Sequence, residues 1–195
     1  SPMPRDAYVN GRYMPHARAC VHVEDRAYQF ADGVYEVIAV HGGRLVDEDP
    51  HLDRLDRSLA ALRIAWPMAR AALRSVMREL IRRNGVADGS LYLQVSRGVA
   101  PRDHAFPKAA PRPAVVMTTR HARTPSPALL EKGAAVITIP DIRWQRCDIK
   151  SVALLPNVLG KQQAVEAGAY EAWQVAADGT ITEGTSTNAW IVNDR

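Results

Sequence analysis

The chain has 195 residues, 47% hydrophobic and 24% charged, which excludes wholesale disorder, and no apolar run approaches the ~20 residues that cross a bilayer. The net charge of +4 comes from 21 Arg and only four Lys, and the Arg are dispersed among Asp and Glu, so no nucleic-acid partner is expected. Ser1–Asp6 lacks the apolar core of a secretory leader, and Cys20 and Cys147 form no spaced cluster, so no disulfide scaffold and no metal are expected and a cytoplasmic setting is.

Tyr8–Tyr13 holds an Asn-Gly turn between β-prone residues, a hairpin signal. Gly33–Val40 reads as a strand that turns at His41–Arg44 back into Leu45-Val46. Asp49 is the expected N-cap of a helix with Pro50 at its first position; Leu52, Leu55, Leu59 and Leu62 form its apolar face. Pro67 opens a second helix striped by Leu73, Val76, Met77, Leu80 and Ile81, and Asn84-Gly85 ends it. Strands are expected at Ser90–Arg97 and Pro113–Thr119, joined by a long loop, Gly98–Arg112, without periodicity. Residues 122–133 read as a linker with a helical turn at Pro127–Lys132. Beyond it come a strand (Ala134–Ile139), a helix (Pro156–Ala167) closed by Gly168, and strands at Tyr170–Ala176 and Asn188–Val192. The expected division is a domain at 1–121, the linker at 122–133 and a second domain at 134–195.

Four places carry chemistry. Lys150 lies between an Arg-rich stretch and an apolar one; desolvation and neighbouring cations make a lysine amine nucleophilic, although alone it reads as a surface lysine in a loop. Thr182–Asn188 (TEGTSTN) offers a carboxylate, a glycine for close approach and three hydroxyls, a cradle for an anion or a ring nitrogen, or simply a polar hairpin loop. Arg102 and His104 suit a carboxylate clamp, and Arg54 sits one turn into a helix beside His51; each alone reads as a solvated surface residue.

Taken together, these segments resemble the fold-type IV pyridoxal-phosphate enzymes, which include D-amino-acid aminotransferases, branched-chain aminotransferases and aminodeoxychorismate lyases. The resemblance rests on EDRAYQFADGVYE (Glu24–Glu36), HLDRL (His51–Leu55), Arg97-Gly98 through Arg102-Asp103-His104, RCDIKS (Arg146–Ser151) and TEG with Ser186 and Asn188. These motifs stand in the family's order from Tyr8 onward, and the D-amino-acid aminotransferases are the nearest group. The resemblance implies an α+β fold: a small N-terminal α/β domain and the first part of a larger, β-rich pseudo-barrel domain.

It also implies roles. Lys150 would hold pyridoxal 5′-phosphate as a Schiff base and move the substrate proton. Glu183 would face the pyridine nitrogen, and Arg54 would bind the phosphate. Tyr35 would line the active site near the substrate carboxylate. Arg102 and His104 would trap that carboxylate from the other subunit of a homodimer. Arg143, Ser186 and Thr187 fall in stretches near the cofactor. The activity implied is transamination between a D-amino acid such as D-alanine and a 2-oxo acid such as 2-oxoglutarate. The alternatives are a branched-chain or (R)-amine aminotransferase, or aminodeoxychorismate lyase; Arg102 speaks against an amine-only enzyme. In this family the second domain continues past the point matched by Arg195, so a catalytically incomplete fragment that binds cofactor or a partner is the non-enzymatic alternative.

Overall fold

The computed structural model describes residues 5–193. The expectation about a secretory leader therefore falls mostly on residues outside the described ones. In chain order the elements are β1 (Asp6–Val9), β2 (Arg12–Pro15), α1 (Arg26–Phe30), β3 (Gly33–His41), β4 (Arg44–Leu45), α2 (Glu48–Leu62), α3 (Arg70–Arg83), β5 (Gly89–Ser96), β6 (Ala114–His121), α4 (Pro127–Lys132), β7 (Val136–Pro140), α5 (Leu155–Glu166), β8 (Glu171–Val175) and β9 (Ile181–Gly184). The architecture is α+β. It divides into two units: residues up to Arg123 together with Asp148–Val152, and Thr124–Cys147 together with residues from Ala153 onward.

The first unit is an antiparallel sheet in the order β2-β1-β6-β5-β3-β4. Asn10 (φ 48°) and Gly11 (φ 96°) make the tight β1–β2 turn, whose twist matches the flanking strands. Side chains alternate along β3: Val34, Ile38 and Val40 are buried, while Val37 and Ala39 are exposed. On the buried side they meet Leu91, Leu93 and Val95 of β5, Val115 and Met117 of β6, and the leucine stripes of α2 and α3. One polar residue shares the buried set on β3: Glu36, with no exposed surface.

β3 is paired with β5 along its length on one side. On its other side β4 covers only Val40 and His41. The start of that edge is filled by residues 149–152: Val34 bridges Ser151, Tyr35 N donates to Lys150 O at 3.0 Å, and Val152 N donates to Gly33 O at 3.1 Å. Ile149 is buried in the same core as the helices. The sequence reads 134–195 as one body; these few residues pack instead with the first unit, because an edge strand leaves backbone groups that need partners.

The second unit has a small sheet, β7-β8-β9. β7 and β8 are parallel and α5 is the crossover between them; β9 returns antiparallel to β8. Its core is Ile139, Ala164 and Ala172.

The structure corrects several expectations. Asn188–Val192 forms no strand: Trp190, Ile191 and Val192 are 82–100% exposed, and their apolar run finds no partner among the described residues. The last strand is β9, inside the segment read as a polar loop, because pairing with β8 needs no apolar stripe on a surface strand. The helix α1 has no signal in the sequence; five residues are too few for a 3.6-residue period, and it is started by Asp25, whose side chain accepts from Ala27 N. Helix α2 begins at Glu48 after Asp47, so Asp49 is inside the first turn, ion-paired with Arg74 of α3, and Pro50 is the third helical residue. Proline is still tolerated there because first-turn N–H groups have no intrahelical acceptor. Helix α3 starts at Arg70, not at Pro67; before it, the Trp66 indole donates to Asp56 at 2.6 Å and lies under Arg70.

Leu55 is fully buried between α2 and the sheet, whereas Leu130 on α4 is 72% exposed. Leu55→Ala should cost about 2–5 kcal/mol in denaturant unfolding, and Leu130→Ala less than about 0.5 kcal/mol.

Candidate active site

Lys150, Tyr35, Arg54, Arg102 and His104 belong to the first unit; Arg143, Glu183, Ser186 and Thr187 belong to the second. The backbone of Lys150 is held from two sides. Its carbonyl accepts from Tyr35, and its N–H donates to the Ser58 hydroxyl on α2 at 3.2 Å. The half-buried amine then reaches over the Tyr35 ring, with Nζ 4.5 Å from the ring centre. Tyr35 stacks on Tyr92 of β5, 5.7 Å between centroids. The Tyr92 hydroxyl donates to Gln94 at 2.6 Å, and burial, helped by Tyr35, pushes its pKa up to about 12. Tyr92 therefore stays a neutral, rigid support for Tyr35.

Arg54 is oriented by Glu36. Nε donates to Oε1 at 2.7 Å and Nη2 to Oε2 at 2.6 Å, a two-pronged pair on a carboxylate with no exposed surface. His51 Nδ1 lies 2.7 Å from the same Oε2. The period of β3 brings Glu36 to the helix side of the sheet, and the spacing of three on α2 puts His51 and Arg54 over it. Arg54 remains 41% exposed, so its guanidinium is fixed at one edge and reaches the surface.

Arg102 and His104 are exposed on the Gly98–Arg112 loop. Their backbone is anchored nonetheless. Arg26 of α1 donates to the Asp103 carbonyl at 2.6 Å and the His104 carbonyl at 3.4 Å. Arg26 also pairs with Asp32 at 2.8 Å, and Arg97 pairs with the same carboxylate at 2.7 Å. Burial raises the Asp32 pKa, but hydrogen bonds from Arg97 and Arg26 outweigh it and hold it below the ordinary value.

In the second unit, Glu183 on β9 accepts from Arg143 Nη1. Arg143 is held in turn by Asp141, with Nε to Oδ1 at 2.9 Å and Nη2 to Oδ2 at 2.7 Å. The hydrogen bonds from Arg143 keep the Asp141 carboxyl far below its usual range. The Ser186 and Thr187 hydroxyls do not point at an empty cradle: they donate to Glu171 at 2.9 and 3.1 Å. Glu171, 2% exposed, also accepts from the Thr185 hydroxyl, from Ser186 N at 3.1 Å and from Ala172 N at 2.9 Å. Gly184 is needed beneath this turn, since a Cβ there would collide with the Thr187 hydroxyl.

Sequence reading misses Glu36, Arg26, Asp32, Tyr92 and Glu171. Each pairs with groups remote in sequence, and a buried carboxylate looks like a surface one until the fold is known. For Glu36 one signal is present: it falls on the apolar phase of β3.

Burial raises the Glu171 pKa, but the bonds from Thr185, Ala172 and Ser186 prevail and bring it down from 4.5 to about 2. Since the folded value lies below the unfolded one, the stabilisation is full above the unfolded pKa and is lost as pH falls through the folded one. Glu171→Gln should therefore cost about 1.5–3 kcal/mol at neutral pH. In chemical denaturation the gap to the unsubstituted protein should close as pH falls from 4.5 towards 2.

Residues 33–195 match the model of the amino-transferase class IV family. The chain is 46% identical over 182 residues to the D-alanine aminotransferase of Bacillus licheniformis, covering 93% of this chain and 63% of that protein. It is 39% identical over 187 residues to the D-alanine aminotransferase of Staphylococcus haemolyticus, covering 96% and 66%. The chain thus spans just under two thirds of the length of these relatives. Among solved structures, its fold is similar to the T.th. branched-chain amino acid aminotransferase with pyridoxamine 5′-phosphate (TM-score 0.80, 22% identity, 95% of this chain and 64% of that one). It is also similar to 4-amino-4-deoxychorismate lyase from Pseudomonas aeruginosa (TM-score 0.71, 25% identity, 92% and 64%). With a family model matched over more than half of its length, the chain belongs to the amino-transferase class IV family.

Proposed function

We propose that the protein is a pyridoxal 5′-phosphate-dependent D-amino-acid aminotransferase. It exchanges the amino group of a D-amino acid such as D-alanine with the oxo group of a 2-oxo acid such as 2-oxoglutarate, and it works as a cytoplasmic homodimer. The observation that carries the reading is Lys150: its backbone is fixed by β3 pairing and by Ser58, and its amine lies over the face of Tyr35. The identity with two D-alanine aminotransferases supports the substrate class. Among the described residues no helix is long and apolar enough to cross a membrane.

The donors of each unit taken by itself suit the cofactor: the first unit has a half-buried lysine and an arginine fork steered by a buried carboxylate, and the second has a strand carboxylate held by Arg143. When bound, pyridoxal 5′-phosphate supplies the electron sink for the pair left by a broken Cα–H bond. Lys150 Nζ anchors the cofactor and then carries the proton that leaves Cα. Arg54 takes phosphate oxygens, its orientation fixed in advance by Glu36. Glu183 would hold the ring nitrogen as a carboxylate and would favour its protonated form by charge pairing. Arg143, tied to Asp141, keeps Glu183 in place. Ser186 and Thr187 serve by holding the Gly184–Asn188 turn against Glu171 rather than through free hydroxyls. Tyr35 forms a wall of the pocket, and Arg102 with His104 receives the substrate carboxylate, reaching from the partner subunit.

Borohydride reduction of the cofactor-loaded enzyme, followed by peptide mapping, should find the label on Lys150. Lys150→Ala should lower turnover by about a thousandfold or more, because a methyl group neither anchors the cofactor nor carries the proton. A label on Lys132 or Lys161 would overturn the assignment.

Mixing Arg102→Leu chains with Lys150→Ala chains tests the exchange of loops between subunits. If the loop crosses, one site of each mixed dimer holds both lesions and the other holds none, so activity returns. No recovery on verified subunit exchange would mean that Arg102 serves its own subunit.

A further inference from the structure

The Arg102/His104 loop is long and aperiodic, yet its centre is gripped from within its own chain. Arg26 is 2% exposed. Its Nε is committed to Asp32 at 2.8 Å, while Nη1 and Nη2 reach the carbonyls of Asp103 and His104 at 2.6 and 3.4 Å. Those two carbonyls belong to the residue between the pair and to the second member of it. Holding them fixes the two peptide planes that flank the His104 Cα, one residue beyond the peptide that follows Arg102.

A second contact acts on the side chains themselves. Phe30, one turn along α1 from Arg26, has the Arg26 guanidinium 4.7 Å and the Arg102 guanidinium 5.1 Å from its ring centre, and its centroid is 5.3 Å from that of His104. Asp32 offsets the buried charge, and Arg97 shares it while lying 3.7 Å from the ring centre of Phe106 further along the same loop. Arg26 touches Asp32, the loop backbone and Phe30 and is closed off from solvent, so it has no surface from which to meet a substrate.

We propose that Arg26 is a positioning residue for substrate-carboxylate capture: with Phe30 it sets where Arg102 and His104 present their charge. The proposal rests on the reading of that pair as the carboxylate trap. A lysine at 26 keeps the charge but loses the planar fork, so it cannot serve Asp32 and two carbonyls together. A trap displaced by about an ångström loses much of its hold on a bound carboxylate.

The test uses the full-length, cofactor-loaded enzyme with D-alanine and 2-oxoglutarate. Arg26→Lys should raise the KM of both substrates about 10- to 100-fold, while kcat changes by less than about threefold. Borohydride should still fix the cofactor to Lys150. Amides of residues 99–106 should exchange hydrogen faster. Arg26→Lys should raise KM by a smaller factor in the Arg102→Leu background than in the parent enzyme, because only His104 is then left for Arg26 to position.

A purely structural role would lower the melting temperature and the active fraction and leave KM alone, both in the parent enzyme and in the Arg102→Leu background. If Arg26→Lys does not fold, Phe30→Leu decides, since it removes the ring beneath Arg102 and His104 and leaves the Asp32 pairs; it should raise KM severalfold. An unchanged KM in the folded variant overturns the proposal while Arg102→Leu still raises it. If Arg102→Leu itself leaves KM unchanged, the trap reading falls and the proposal falls with it.

Discussion

The start of β3 has a backbone edge that only residues 149–152 cover, and the candidate site in the first unit depends on that pairing. Lys150 could lie anywhere on a loop if its carbonyl were not accepting from Tyr35 and its N–H not donating to Ser58. Because the edge is that of a core strand, the requirement is strong: unpaired groups beside Val34, which has no exposed surface, would be costly. The Lys150 backbone is thus held to the sheet, and the amine starts from a fixed point. The same strand carries Tyr35 on one face and Glu36 on the other, so one backbone segment positions the ring beneath the amine and the carboxylate beneath Arg54.

Three buried or nearly buried carboxylates act as hubs: Glu36, Asp32 and Glu171. Each is surrounded by donors that would not otherwise converge. Glu36 gathers Arg54 and His51, Asp32 gathers Arg26 and Arg97, and Glu171 gathers the Thr185–Thr187 turn. Desolvating a carboxylate is expensive and is offset only when its lone pairs are well satisfied. Such hubs are poor devices for raising stability, since well-packed apolar groups do that as well. Their effect is orientational: each presents a charged or polar group in one geometry.

Much of the scaffold is legible from local pattern. The Asn-Gly hairpin, the leucine stripe of α2 and the alternation along β3 are short-range signals, and the structure bears them out. Helix starts are displaced from Asp49 and Pro67: the N-caps are Asp47 and Ala69, neither with a side-chain cap hydrogen bond, while Asp49 pairs with Arg74 and Trp66 donates to Asp56. β9 is hidden because its strand is made by pairing with β8, while the apolar Ala189–Val192 run looks like a better strand. The residues proposed to face the chemistry come into view through motif order. The residues behind them do not, since Arg26 meets the loop across 77 positions and Ser186 meets Glu171 across 15.

The distribution of exposure follows from what each group does. Side chains proposed to meet a substrate must be reachable; Arg102 and His104 are exposed, and exposure alone would leave them mobile. Ordering a long, charged side chain on binding costs up to about 2 kcal/mol of rotamer entropy, and ordering the backbone beneath it costs about 1–2 kcal/mol per residue. The second cost is met at folding, not at binding, when Arg26 ties the Asp103 and His104 carbonyls to a buried ion pair. The same logic explains why Arg54 has one edge on Glu36 and why the hydroxyls of the 185–187 turn are turned inward to Glu171. In both units the residues proposed to act on a ligand are carried by a backbone whose conformation is settled without one. The settling is done by charges buried just beneath it.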